Sequence, residues 1–187
     1  SGFVLSSGHA ASPPDRSRLL LPVSLPGLRD GAGRRRRGPR GAHPLEHVRA
    51  ADYDEFCRLQ EASGGRIRLV TLAAEAQGGL DFIRQVTRDG VVVAIGHTAA
   101  EPQQITAAVD AGARLSTHLG NGAHGTIRRH PNYIWEQLAD PRLWASIITD
   151  GHHLPESVIR TIVATKSPGR TIITCDAANP SISQAFR

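Results

Sequence analysis

The chain has 187 residues, 40% apolar and 21% charged. That is enough for one domain with a real core and too apolar for wholesale disorder. Its formal charge of +5 is uneven: residues 1–42 hold eight arginines against Asp15 and Asp30, a net of +6, while residues 43–187 hold 14 basic and 15 acidic side chains, a net of −1. No apolar run reaches the length of a membrane span, and the start lacks the ordered regions of a signal peptide. Cys57 and Cys175 are the only cysteines, with no CxxC spacing, so a disulfide scaffold is excluded and a cytoplasmic protein with reduced thiols is expected.

Residues 1–42 read as an atypical, poorly ordered Gly/Pro/Arg-rich segment. Arg34, Arg35, Arg36 and Arg37 sit in GLRDGAGRRRRGPRGAHP, which contains no aromatic residue, so nucleic-acid binding is not expected. Within this segment RLLLPVSLPG is apolar enough for a short strand, but Pro22 and Pro26 are expected to interrupt any ladder.

From Leu45 two kinds of segment alternate. A helix over Asp52–Ala62 precedes five β-like runs: Ile67–Ala73, Val91–Ile95, Arg114–Thr117, Leu143–Thr149 and Thr171–Cys175. Between them lie helical patterns at Gly79–Arg88, Glu101–Ala111, Asn132–Ala139 and Glu156–Thr165. Pro102 marks a first turn, and Gly90, Gly112 and Gly169 lie just beyond last turns. Several runs are continuously apolar, as strands buried on both faces should be. Strand starts at 67, 91, 114, 143 and 171 give units of 23–29 residues, the size of a βα repeat. The fold class is α/β with a parallel sheet: an open doubly wound sheet, or part of a closed (β/α) barrel. No GxGxxG or GxxxxGK[ST] follows the first strand, so the nucleotide-binding open sheets lose ground. The last strand has no recognisable crossover helix after it, which favours a piece of a larger barrel.

The polar residues that stand out share one place in the repeat. The second run ends in Gly96-His97-Thr98, the third in His118, the fourth in Asp150-Gly151-His152-His153 and the fifth in Asp176. In βα proteins the C-terminal strand ends face one pocket, and imidazoles there suit a borderline metal such as zinc. His124 and His130 lie in the loop NGAHGTIRRHPN and are expected to face solvent. His9, His43 and His47 carry less weight still. Cys175, beside Ile172 and Ile173, reads as a core thiol in a strand rather than a nucleophile.

At these residues the sequence resembles the N-acetylglucosamine-6-phosphate deacetylases of the metal-dependent amidohydrolase superfamily. The resemblance rests on GAHPLEHVR, LVTLAAEA, AIGHTAAE, STHLGNGAH, ITDGHHLP and ITCDAANPS, in that order, from about Gly41 to Ser181. It implies a distorted (β/α)₈ TIM-like barrel, present here in part over residues 43–187, and a divalent metal ion, zinc being the expected one. His97 and His118 match the family's metal-binding histidines. Asp176 matches the aspartate that acts as base and then acid, and His153 the histidine that touches the reacting carbonyl. Asn121, with Gly122 and Ala123, matches the loop that handles the sugar phosphate. Arg129 resembles the arginine that reaches a phosphate across the family's homodimer interface.

The resemblance implies deacetylation of N-acetylglucosamine 6-phosphate to glucosamine 6-phosphate and acetate, with no nucleic-acid or membrane partner. One departure stands against it. The family's His-x-Glu-Gly-Pro strand, whose glutamate the resemblance makes a metal ligand, has no counterpart in LLLPVSLPGLRDGAGRRRRGPRG, where Asp30 is the only carboxylate. Catalysis by this chain is therefore expected to be impaired, and a non-catalytic fragment, or an amidohydrolase acting on another amide, are the alternatives.

Overall fold

The computed structural model describes the backbone of residues 19–23 and all of residues 49–175. In chain order the elements are β1 (Leu19–Val23), α1 (Tyr53–Ala62), β2 (Ile67–Leu72), α2 (Gly79–Arg88), β3 (Val92–Ile95), α3 (Pro102–Ala111), β4 (Leu115–Ser116), α4 (Tyr133–Ala139), β5 (Trp144–Ile148), α5 (Glu156–Lys166) and β6 (Thr171–Thr174). Each boundary from α1 onward falls within a residue or two of the sequence expectation.

Local chemistry explains the helix starts. The Asp52 carboxylate accepts the Glu55 N–H at 2.9 Å, and the Asn132 amide oxygen accepts the N–H groups of Ile134 and Trp135 at 3.0 and 3.1 Å. At α3, Glu101 and Gln104 form a reciprocal capping box with Pro102 in the first turn. The first face of the core follows helical spacing: Gly79, Phe82, Ile83 and Val86 of α2 are all buried, while Asp81 and Arg84 pair on the solvent side. They pack with Ile67, Val70, Leu72, Val93, Ile95, Ile105 and Val109 in one cluster. Truncating Ile83, which is fully buried, to alanine would cost about 2–5 kcal/mol. A second cluster, Leu119, Leu138, Ala145, Ile147, Leu154 and Ile162, lies between β5 and helices α4 and α5.

The sheet order is β1-β2-β3-β4-β5-β6, and every neighbouring pair is parallel. A doubly wound sheet reverses its order at a switch point, whereas a barrel adds strands in sequence. The strictly sequential order resolves the alternative left open by the sequence in favour of part of a (β/α) barrel. Its consequence is that the C-terminal ends of all six strands share one edge.

Two expectations are corrected. The proline-bearing LLLPV segment does join the ladder, from Leu19 against Ile67 to Val23 against Leu72, with Pro22 opposite Thr71. Among the described residues β1 pairs on one side only, and an edge strand tolerates a residue that cannot donate. Cys175 is exposed rather than a core thiol, and Ile173 beside it is 73% exposed. The cause is the same: β6 is the other edge of the described sheet, and burial on both faces holds only for interior strands such as β3 and β5. The rest of residues 1–42, with Asp30, His9 and the arginine tract, and also His43, His47 and Asp176, lie outside the described residues.

Candidate metal centre at the strand ends

β3 and β4 end in the two histidines. The Nε2 atoms of His97 and His118 stand 3.0 Å apart, with the rings nearly perpendicular and their centroids 4.7 Å apart. Both residues have positive φ, 50° and 31°, a region that side chains other than glycine rarely adopt. Such strain persists only where surroundings over-determine it, and it clusters at functional sites.

The surroundings that hold it are visible. The Ser146 hydroxyl of β5 accepts the buried His118 N–H at 2.7 Å and donates to the Ser116 carbonyl at 3.2 Å. The Leu119 N–H then bonds the Ser146 carbonyl at 2.8 Å. Beneath His97, Gly96 lies so close to Thr71 and Thr117 that an added Cβ would come within 2.8 and 2.9 Å of them. Those two threonine hydroxyls bond each other at 2.9 Å. On the other side, the backbone of Gly122 is pressed against both imidazoles: a Cβ there would meet His118 Cε1 at 3.0 Å and His97 Nδ1 at 3.1 Å.

This spacing suits one ion. With zinc–nitrogen distances of about 2.0–2.1 Å, two imidazoles on one ion at 90–110° have nitrogens about 2.8–3.4 Å apart. The two rings therefore fit two positions of a divalent metal shell. Among the described residues no three His, Cys, Asp or Glu side chains converge on one point.

A carboxylate that sequence reasoning passed over stands at the same sheet end. Glu75, three residues beyond β2, accepts the Ala99 N–H at 2.7 Å and the Thr98 hydroxyl, both directly after His97. The signal for it was present in LVTLAAEA: it is an acid at a strand end, as Asp150 is.

The remaining expected residues separate into groups. Asn121 donates its N–H to the His118 carbonyl at 2.9 Å, and Ala123 packs on the core, so residues 121–123 form a loop directly over the histidine pair. His153, after β5, is exposed and turned to Asp150, with Nδ1 2.6 Å from Oδ2. Asp150 also accepts the N–H groups of His152 and His153 on its other oxygen. These backbone donors, His153 first, hold the Asp150 carboxyl well below the usual range. Arg129 is exposed, whereas its neighbour Arg128 lines a cavity of about 390 Å³ with Glu101, His124, Asn132 and Tyr133. Arg128 and Glu101 pair across it at 3.5 Å.

His124 corrects another expectation. It is half-buried rather than solvent-facing, with its N–H 2.9 Å and its Nδ1 2.8 Å from the Tyr133 hydroxyl. Its loop is folded inward because α4 delivers Tyr133, 7% exposed, beneath it. Burial pushes the Tyr133 phenol up, so it remains a protonated donor at neutral pH. His130 is exposed, as expected.

A partial (β/α) barrel with a histidine pair at its C-terminal strand ends defines the class of protein. No protein-family profile matches the chain. The curated relatives include the N-acetylgalactosamine-6-phosphate deacetylase of Escherichia coli O157:H7, 41% identical over 115 residues, covering 62% of this chain and 30% of that one. Another is the N-acetylglucosamine-6-phosphate deacetylase of Bacillus subtilis strain 168, 31% identical over 137 residues, covering 73% and 35%. Among solved structures, N-acetyl-D-glucosamine-6-phosphate deacetylase from Mycobacterium smegmatis superposes with a TM-score of 0.70 at 38% identity, over 75% of this chain and 37% of that one. The chain is thus similar in sequence and in fold to part of these deacetylases. It spans about a third of the length of the relatives it matches.

Proposed function

We propose that this chain carries the strand-end metal centre of an amidohydrolase that deacetylates an amino-sugar 6-phosphate, with N-acetylglucosamine 6-phosphate as substrate. The observation that carries the reading is the approach of His97 and His118, two strained imidazoles from adjacent strand ends with Nε2 atoms 3.0 Å apart. His97 and His118 would hold a divalent ion, zinc by ligand type. When bound, such an ion makes water a better nucleophile and an amide carbonyl a better electrophile.

The chain's own residues would supply the rest. Asp176 would take a proton from the attacking water and return it to the departing amine, so that acetate and a free amino sugar result. His153 would donate from Nε2 to the carbonyl oxygen as negative charge grows there, with Asp150 on Nδ1 fixing the ring. Backbone groups of residues 121–123 and Arg129 would position the phosphate far from the bond that breaks, in a cytoplasmic homodimer.

The assay is acetate release from N-acetylglucosamine 6-phosphate and from its galactosamine epimer, with added zinc. The relative at 41% identity is named for the galactosamine compound, so that epimer is the second substrate to test. Zinc-dependent release that disappears in His97→Ala supports the reading. Release unaffected by chelation, or none from either sugar in the presence of bound zinc, contradicts it.

A further inference from the structure

We propose that Tyr133 is a positioning residue for the histidine pair, acting through His124 on the loop that covers both rings. The inference rests on the metal-centre reading for its functional consequence, and on geometry alone for its structural content. Tyr133 begins α4, and its place is fixed from below: Asn132 caps the helix with its amide oxygen and donates its Nδ2 to the carbonyls of Arg128 and Arg129 at 3.0 and 3.2 Å. From this anchored position the hydroxyl makes two contacts to a single residue, the N–H and the Nδ1 of His124.

An amide can only donate, so Tyr133 accepts there, and its hydroxyl proton is left to give to Nδ1. In that arrangement the His124 ring proton sits on Nε2, and main chain and side chain meet the same oxygen. Two residues earlier in the loop, Gly122 lies so close to both rings that an added Cβ would stand 3.0 Å from His118 Cε1 and 3.1 Å from His97 Nδ1. Three residues beyond His118, the backbone is tied to that strand end by the Asn121 N–H on the His118 carbonyl. The loop is thus clamped at one end by His118 and at the other by Tyr133. Gly122 is the pad between them, and it keeps two positive-φ rings converged.

Outer groups that orient metal ligands change metal affinity by about 10–100-fold when removed. Tyr133→Phe keeps the ring packing and deletes both bonds, so the fold survives and only the clamp is lost. In the metal-free full chain, ¹⁵N NMR should show an acceptor-type Nδ1 and a protonated Nε2 at His124, replaced by a tautomer mixture in Tyr133→Phe. The ring signals of His97 and His118 should shift or broaden in the same variant, while amide exchange in β3 stays unchanged. Zinc affinity, measured by chelator competition, should fall about tenfold, and the Tyr133→Phe effect should shrink in a His124→Ala background. Unchanged His97 and His118 ring signals in Tyr133→Phe overturn the proposal, whatever zinc does. Shifted ring signals in a chain that binds no zinc uphold the clamp and overturn the metal reading instead.

Discussion

Gly122→Ala tests how tightly the loop sets the histidine pair. The new Cβ would stand 3.0 Å from His118 Cε1, and 3.1 and 3.3 Å from His97 Nδ1 and Cε1. Comfortable contacts lie at about 3.5–4.0 Å, so each ring must retreat by about 0.5 Å. Neither can do so cheaply: His118 is 9% exposed with its N–H tied to Ser146, and both rings stand on strained backbone. Overpacking of this kind costs about 1–3 kcal/mol. Such a wedge disturbs the arrangement that holds the two Nε2 atoms 3.0 Å apart, a spacing that suits one ion. The expected result is a lower melting temperature together with a zinc affinity at least about tenfold weaker, equivalent to about 1.4 kcal/mol. Gly125→Ala is the control, because nothing lies within 4 Å of its added Cβ. Thermal unfolding and chelator competition measure both quantities. Equal zinc affinity in Gly122→Ala and in the parent chain would show that the pair is not the metal-binding feature, or that the loop does not set it.

Ser146→Ala removes the acceptor of the buried His118 N–H, and urea unfolding should show a loss of about 1–3 kcal/mol. Ser116 carries a buried hydroxyl with no hydrogen-bond partner among the described residues, so Ser116→Ala should be neutral or stabilising by up to about 1 kcal/mol in the same assay, and a loss of about 1 kcal/mol or more would refute the assignment. For Asp150, the folded carboxyl lies below its unfolded value of about 3.9. Its charge-dependent stabilisation is therefore complete above that value and lost as pH falls through the folded one. The stability gap between the parent and Asp150→Asn should close as the solution is acidified below about pH 4. A gap that widens in acid would mean the sign is wrong.

The helices were legible because their signals are local. Asp52, Asn132 and the Glu101–Gln104 box act within one turn, and the sequence shows each directly. The histidine pair was legible because two β runs each ended in one. β4 shows the limit: the sequence suggests Arg114–Thr117, and bonds to β3 do run from the Arg114 N–H to the Thr117 N–H, but the regular strand is only Leu115–Ser116 because His118 turns the chain at positive φ. Glu75 is less legible because it lies three residues beyond β2, and only the fold brings it to Thr98 and Ala99 after β3. Tyr133 and His124 were illegible for a different reason. Their contact depends on where α4 sets its first turn against a loop of irregular backbone, and no periodicity records that.

The most direct test of the central claim is zinc binding by the full chain, read as stoichiometry and affinity alongside His97→Ala and His118→Ala. One ion per chain is expected, with affinity reduced about tenfold or more by either substitution, and ring signals of both histidines that move together on titration. Zinc that binds equally well to both variants, or that moves neither ring, would contradict it.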